Sequence, residues 1–318
     1  MNDSTRVAGV LAGVVALFVV VQVGALALVE PFQSAGLQST EDPQNPLNSI
    51  VYVAFLLVAT GGILLVIKYD QQWVLKGFVL LTSGLVASYV FTVVFPAVTV
   101  AGVNLAVWVP AVALVVALYA YPEWWVIDSA GAIMGMGAAA LFGISFGVLP
   151  ALVLLTALAV YDAISVYGTE HMLTLASGVM ELRLPIVLVV PTTLEYSFVD
   201  DAEETADEAS EGEREASNPA ERPAYFIGLG DAVMPSILVA SAAFFLDTPE
   251  VLPGVELAPL TAMVGTVLGL LVLMRMVIKG RAHAGLPLLN GGAIAGYLVG
   301  ALAAGIPLTE ALGLAAYV

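Results

Sequence analysis

The stretch Tyr225-Phe-Ile-Gly-Leu-Gly-Asp-Ala-Val-Met-Pro235 opens an apolar run that is long enough to cross a bilayer. Its aspartate, Asp231, is expected about two turns into the hydrocarbon. A charge at that depth costs roughly 2.5–3.5 kcal/mol on insertion scales, so an acid there predicts a functional site. One other apolar run, Ala159-Val-Tyr-Asp-Ala-Ile-Ser165, has an aspartate at similar depth, Asp162. We therefore interpret the rest of the chain as the scaffold that brings Asp162 and Asp231 together.

The composition around these two runs is that of a polytopic membrane protein. Hydrophobic residues make up 60% of the chain, charged residues 11%, and the mean hydropathy is +0.98. These values exclude an ordinary soluble domain. The absence of cysteine from the sequence excludes disulfide and thiol chemistry. His171 and His283 have no ligand partners nearby in the sequence, so we expect no zinc site.

The apolar runs predict how many times the chain crosses the membrane. A spanning helix needs about 20 apolar residues. Nine segments meet this requirement: 7–29, 48–68, 74–95, 101–121, 125–147, 149–170, 225–246, 256–278 and 285–304. We therefore predict an all-α fold of nine transmembrane helices, with helices 1–6 in residues 1–170 and helices 7–9 in residues 225–318.

The basic residues predict the orientation of these helices. With a cytoplasmic N-terminus, all nine lysines and arginines lie in or beside the cytoplasmic segments, and the outer segments contain none. The positive-inside rule then places the C-terminus outside. Asp162 lies nine residues before His171 and Asp231 six after Tyr225. At about 1.5 Å per residue both acids lie ~9–13 Å below the cytoplasmic edge, on antiparallel helices.

The cytoplasmic loop 171–224 divides into two parts. Residues 200–222 contain ten acids against two arginines, a net charge of −8, which predicts a disordered linker. Residues 184–190, Leu-Pro-Ile-Val-Leu-Val-Val, are β-branched and too short to span, which predicts a strand. A segment that lies on the membrane surface is the alternative. A strand near the site could pair edge-on with an extended peptide.

Two carboxyl groups at one depth in a low-dielectric setting favour a specific chemistry. They cannot both ionise, so they share one proton and titrate in two separate steps. In aspartic proteases one carboxylate takes a proton from water while the other acid donates a proton to the carbonyl. A protease of this kind must admit water into the membrane and unwind its substrate, because a helical peptide bond is shielded and hydrogen-bonded.

Two short motifs resemble those of a known family. Tyr161-Asp162 and Gly228-Leu-Gly-Asp231 resemble the YD and GxGD motifs of the presenilin and signal peptide peptidase family of intramembrane aspartyl proteases. The family's third motif, Pro-Ala-Leu, is replaced by Ala284-Gly-Leu-Pro287, which matches only at its leucine. The similarity is greatest to archaeal presenilin homologues. The cytoplasmic N-terminus and Leu229 indicate a presenilin-like chain.

The resemblance implies an enzyme that cleaves peptide bonds within transmembrane segments, with Asp162 and Asp231 as catalytic residues and without a metal or cofactor. It implies that the other motif residues shape the site: Tyr161, Gly228, Leu229, Gly230, Ala284, Gly285, Leu286 and Pro287. The expected partners are transmembrane protein substrates and the lipid bilayer of the plasma membrane, with no nucleic acid. A homo-oligomer is compatible with these expectations.

An ion- or proton-coupled transporter or channel is the competing function, because such proteins also pair membrane acids. Transporters of this size usually have inverted repeats, with a broken helix in each half. Here both deep acids lie on adjacent helices in the second half of the chain. A catalytically dead assembly factor with the same fold is a third reading that the sequence leaves open.

Overall fold

The computed structural model describes residues 3–69, 71–167, 187–193, 195–199, 223–278 and 283–315, and this part of the chain is mainly helical. Its helices are α1 (Asp3–Ser34), α2 (Leu47–Lys68), α3 (Gln72–Val94), α4 (Leu105–Ala120), α5 (Trp124–Ser145), α6 (Val148–Tyr167), α7 (Leu229–Phe245), α8 (Leu257–Val277), α9 (Leu286–Ala303) and α10 (Leu308–Ala311). Its strands form antiparallel pairs: β1 (Thr99–Val100) with β2 (Val103–Asn104), β3 (Val187–Pro191) with β4 (Ala224–Gly228), and β5 (Glu250–Leu252) with β6 (Val255–Glu256).

Within the described residues, seven helices are long and apolar enough to cross a membrane. These are α1, α2, α3, α5, α6, α8 and α9. Helices α4 and α7 are also apolar but have only 16 and 17 residues. A polytopic helical membrane protein is therefore the architecture, whereas the count of nine spans and their orientation stay predictions.

Helices α4 and α7 are short because strands occupy the start of each predicted span. Residues 101–104 belong to the β1–β2 hairpin, whose turn places Ala101 and Gly102 at φ 52° and 83°. Both angles are left-handed, as a tight hairpin requires. Residues 225–228 belong to β4. The predicted helix starts at 101 and 225 are therefore wrong, because four residues at the edge of an apolar run fit a strand or hairpin as well as a turn of membrane helix.

Helices α1, α5 and α7 pack around the centre of the protein. Phe18 on α1 and Ile237 and Leu238 on α7 are fully buried. A methyl group built on Gly143 of α5 would overlap Ala240 of α7, so the two backbones are in close contact. Close contact of this kind is typical of membrane helices with small residues at their interface. The C-terminal half of α7 is thereby fixed against α5.

Helix α9 is held in place from two sides. A methyl group on Gly292 would overlap the carbonyl oxygen of Gly265 on α8, so these two helices pack backbone to backbone. On its other side, Asn290 Nδ2 donates a hydrogen bond to the carbonyl oxygen of Leu155 on α6 at 2.9 Å. These contacts fix the first turn of α9 relative to α6.

Part of the loop 171–224, which is predicted to be cytoplasmic, lies outside the described residues. This part includes the predicted acidic linker, 200–222, and residues 184–186 of the predicted strand. The described remainder of that strand, Val187–Pro191, is β3, and its partner is β4 of the same chain.

Candidate active site

Helix α6 places Asp162 against the start of α9. The Asp162 side chain is only 4% exposed. Its Oδ2 accepts a hydrogen bond from the backbone N–H of Leu286 at 3.0 Å, and the carboxylate accepts a second from the backbone of Gly285. The first N–H groups of a helix have no partner within the helix and favour a negative group. The first turn of α9 therefore orients Asp162 and stabilises a negative charge on it.

Asp231 is the third residue of α7, because the helix begins at Leu229. The expectation that it lies about two turns into a helix from Tyr225 is therefore wrong. Strand β4 occupies the preceding residues and ends at Gly228, which caps the helix with φ −59° and ψ 132°. Strand β4 is therefore followed directly by the first turn of α7, which contains Asp231, with no loop between them.

The two acids converge on Gly285. The backbone of Gly285 donates a hydrogen bond to Asp162, as described above. A methyl group built on Gly285 would lie only 3.1 and 3.2 Å from the two carboxylate oxygens of Asp231. Helices α6 and α7, which are consecutive in the predicted membrane order, therefore place their carboxyl groups against the same backbone segment.

A cavity of about 480 Å³ opens beside both acids. Its walls come from α2, α6, the β3–β4 sheet and the starts of α7 and α9. The lining residues are Val53, Leu56, Leu57, Thr60, Leu158, Tyr161, Asp162, Val187, Phe226, Gly228, Gly230, Asp231, Met234 and Leu286. Apart from the two acids, only Thr60 and Tyr161 among these have polar side chains. The cavity therefore suits an apolar peptide segment, with one polar backbone group placed against the two carboxyl groups.

Four of the site-shaping residues that the resemblance marks lie at this cavity: Tyr161, Gly228, Gly230 and Leu286. The Tyr161 side chain is 37% exposed and beside Asp162 in sequence. The two glycines leave the backbone before Asp231 without side chains. These four residues can contact a ligand in the cavity.

The other marked residues are not among the lining residues, and of these Gly285 contacts the two acids as described above. Leu229 is buried and points towards α5, where a methyl group on Gly135 would lie 3.3 Å from its Cδ1 atom. Ala284 is also buried, and its backbone N–H donates a hydrogen bond to Tyr167 Oη at 3.3 Å. Pro287 follows Leu286 in the first turn of α9. These residues support the site through packing and backbone geometry.

The outer edges of the β3–β4 sheet differ from each other. The backbone N–H of Thr192 donates a hydrogen bond to the carbonyl oxygen of Pro223 at 2.9 Å. This bond continues the strand register in which Val189 lies opposite Phe226. Hydrogen-bonded and non-bonded pairs alternate in an antiparallel ladder, so Val189 and Phe226 direct their N–H groups away from each other. The outward Val189 N–H donates to Asp128 Oδ1 on α5 at 2.7 Å. Phe226 faces the cavity.

Nothing in the sequence marks Asp128 as a contact of β3 or α2 as a wall of the cavity. The sequence places Asp128 one turn after Trp124-Trp125, a position typical of an acid at the membrane interface, yet its side chain is buried. Val53, Leu56 and Leu57 share one face of α2, but apolar residues at these spacings fit a lipid-facing surface equally well. Among the described residues, no group of three or more His, Cys, Asp or Glu side chains could hold a metal ion.

Comparisons with known proteins agree on one family. A family model described as signal-peptide peptidase, presenilin aspartyl protease matches residues 15–306. A structure of a presenilin family intramembrane aspartate protease in space group C222 is 34% identical, with a TM-score of 0.64 over 92% of this chain and 99% of that chain. A second such structure, in space group P2, gives 34% identity and a TM-score of 0.62 over 92% and 97%. Among curated proteins, the comparison finds no match.

Proposed function

The chain belongs to the signal-peptide peptidase and presenilin family of aspartyl proteases, and we propose that Asp162 and Asp231 are its catalytic pair. Its activity is the hydrolysis of peptide bonds within transmembrane segments, and the family excludes the transporter reading. The observation that carries the proposal is the convergence of both carboxyls on Gly285 beside one cavity. The Gly228-Leu-Gly-Asp231 sequence is the basis for assigning the GxGD subtype.

The two acids have different surroundings, which supports separate roles. Asp162 accepts two backbone hydrogen bonds from the start of α9, and such bonds stabilise a carboxylate. We assign Asp162 as the base that takes a proton from the attacking water. Asp231 then holds the shared proton and donates it to the carbonyl oxygen of the scissile bond. In the second half of the reaction the C–N bond breaks: Asp162 donates the proton that it took from water to the leaving amine, and Asp231 takes a proton back from a hydroxyl of the tetrahedral intermediate.

Cleavage also requires that the substrate helix unwinds locally, because its peptide bonds are otherwise shielded. Backbone groups freed in hydrocarbon each need a hydrogen-bond partner. We propose that the outer edge of β4, at Phe226 and Gly228, supplies these partners. Both residues lie at the cavity beside Asp231. The expected pairing with 184–190 is less favourable, since β4 covers one edge of β3 and Asp128 takes the outward amide of Val189.

Proline at Phe226 tests this edge. The Phe226→Pro change removes an outward donor without breaking a β3–β4 hydrogen bond. A substrate carbonyl left without a partner in a dry site costs roughly 1–3 kcal/mol, so cleavage of a transmembrane substrate should fall at least about fivefold. The Phe226→Ala variant keeps the amide and serves as the control for loss of the ring.

A short, already extended peptide separates strand pairing from general damage to the site. Such a peptide has no helical hydrogen bonds to lose, so Phe226→Pro should affect its cleavage much less. The rates of both substrates are measured with purified enzyme in detergent. Equal losses on the two substrates, or equal rates for the proline and alanine variants, would exclude pairing at β4.

We further propose nine spans in the plasma membrane, with the N-terminus inside and the C-terminus outside. Because the sequence contains no cysteine, single cysteines can report the topology directly. A membrane-impermeant maleimide should label Glu41→Cys and Thr309→Cys in intact cells, and label Ser4→Cys and Thr205→Cys only after permeabilisation. Labelling of Thr309→Cys only after permeabilisation would show that the number of spans is even.

A further inference from the structure

Asp128 is a buried acid that the proposed chemistry does not use. It lies on the second turn of α5, and its side chain is 7% exposed. Its Oδ1 accepts the hydrogen bond from the backbone N–H of Val189 at 2.7 Å. Burial of a carboxylate is unfavourable unless strong hydrogen bonds compensate. A short bond from a backbone amide of β3 is therefore a specific structural contact.

This bond connects β3 to α5 and takes no part in the sheet. The Val189 N–H points away from β4, so the β3–β4 ladder is complete without Asp128. The Val189 side chain, 1% exposed, packs in one apolar cluster with Ile127 and Ala130 of α5. The same helix also holds the chain beyond β3, where Glu123 accepts hydrogen bonds from Ser197 Oγ and Phe198 N–H at 2.8 and 3.0 Å.

The position of β3 is transmitted to Asp231 through β4. Strand β4 pairs with β3 along its whole length and ends at Gly228, one residue before α7 begins. Asp231 follows in the first turn of that helix. A shift of β3 away from α5 would therefore displace β4, Gly228 and the backbone that presents Asp231. A misplacement of about 1 Å at a catalytic group can reduce a rate about 100-fold.

We propose that Asp128 is a positioning residue for the active site, which holds the β3–β4 sheet against α5 so that Asp231 keeps its place beside Asp162. The inference rests on the proposed catalytic role of these two acids. Asp128 acts through its bond to the Val189 amide and transfers no proton. An uncharged acceptor of the same shape should therefore replace it.

Three variants test the bond from both of its ends. Asp128→Ala removes the acceptor, Val189→Pro removes the donor, and Asp128→Asn retains an oxygen acceptor in the same place. With a transmembrane substrate, we expect Asp128→Ala and Val189→Pro each to lower kcat about fivefold with KM within about twofold. Asp128→Asn should retain at least half of the wild-type kcat. The double variant Asp128→Ala/Val189→Pro should be no slower than the slower single variant, because both changes remove one bond.

Controls separate positioning from loss of fold. Ser129→Ala alters the exposed neighbour of Asp128 and should leave kcat unchanged. Thermal stability is measured for every variant. If Asp128→Ala does not fold, Asp128→Ser replaces it, since its shorter side chain does not reach Val189, and the same fivefold loss is expected. If neither variant folds, the test is the comparison of Val189→Pro with Asp128→Asn: the first should lower kcat about fivefold and the second should retain at least half of the wild-type kcat.

Any of three results would overturn the positioning role. Asp128→Ala could retain wild-type kcat, or Asp128→Asn could lose as much kcat as Asp128→Ala. The third is a double variant in which the losses of the two single variants multiply. Asp162→Asn is measured in the same assay. Loss of cleavage in Asp162→Asn together with wild-type kcat in Asp128→Ala would reject the positioning role alone. Full activity of Asp162→Asn would reject the proposed function itself.

Discussion

Replacing either proposed catalytic acid with asparagine should abolish cleavage of a transmembrane substrate. Asp162→Asn leaves no base for the attacking water, and Asp231→Asn leaves no proton for the carbonyl oxygen. A general acid or base typically contributes at least about 100-fold to a rate, so each variant should fall to about 1% of wild-type activity or less. Asparagine has nearly the same size as aspartate and can still accept the amide hydrogen bonds at Asp162, so both variants should fold.

Purified enzyme in detergent, with a single-span substrate, gives the measurement. Asp247→Asn is a matched control, because it makes the same chemical change at an exposed aspartate outside the described spans. It should retain wild-type cleavage and thermal stability. Residual activity above a few per cent in Asp162→Asn or Asp231→Asn would contradict the assignment of the pair.

The wild-type enzyme should also have a bell-shaped pH profile. The active form of the pair holds one shared proton. At low pH the base becomes protonated, and at high pH the pair loses the proton that the carbonyl needs, so kcat should fall in both directions. A profile that only rises with pH would indicate that one ionised acid is sufficient.

The proposed catalytic pair can be selected from the sequence because an acid within a membrane span is a strong signal. Few charges are tolerated in an apolar run, so Asp162 and Asp231 stand out without any structure. The predicted helix ends agree with the structure to within one residue at Lys68 and Val277, whereas α1 continues to Ser34, five residues beyond its predicted end at 29. The meeting of the two acids required only that their helices be antiparallel neighbours at similar depth.

The sequence could not predict how the chain enters α7. Tyr225-Phe-Ile-Gly228 is as apolar as the helix that follows, so its composition does not distinguish a strand from one more helical turn. Its partner, β3, is separated from it by more than thirty residues of sequence. Only this long-range pairing makes it a strand, and the pairing places Asp231 in the first turn of α7.

Contacts between elements that are far apart in the sequence could not be predicted either. Asp128 follows Trp124-Trp125, as an acid at the membrane surface would, and nothing local indicates that it meets the backbone of β3. The cavity wall on α2 has the same apolar composition as the rest of that helix, where side chains outside the cavity, such as Phe55 and Val58, are exposed. In a membrane protein, hydropathy identifies the spans but not which of their faces meet.

Valine at Gly285 should reduce cleavage at least about thirtyfold. A Cβ atom at this position would lie 3.1 and 3.2 Å from the Asp231 carboxylate oxygens, closer than ordinary contact. The two further methyl groups of valine would push the carboxylate away from Asp162, and a displacement of about 1 Å can reduce a rate about 100-fold. Alanine, the residue of the family's Pro-Ala-Leu motif, requires a shift of only a few tenths of an ångström, so Gly285→Ala should stay within about fivefold of wild type.

Gly291→Val provides the matched control on the same helix. No atom lies within 4 Å of a Cβ built there, and the residue is exposed. It adds the same side chain to α9 and should therefore leave cleavage within about twofold of wild type. kcat and KM are measured for the three variants with one transmembrane substrate. Because Gly285 contacts both carboxyls, the loss in Gly285→Val should appear in kcat. Wild-type kcat in Gly285→Val, or an equal loss in Gly291→Val, would show that the close approach of Gly285 to Asp231 does not govern the reaction.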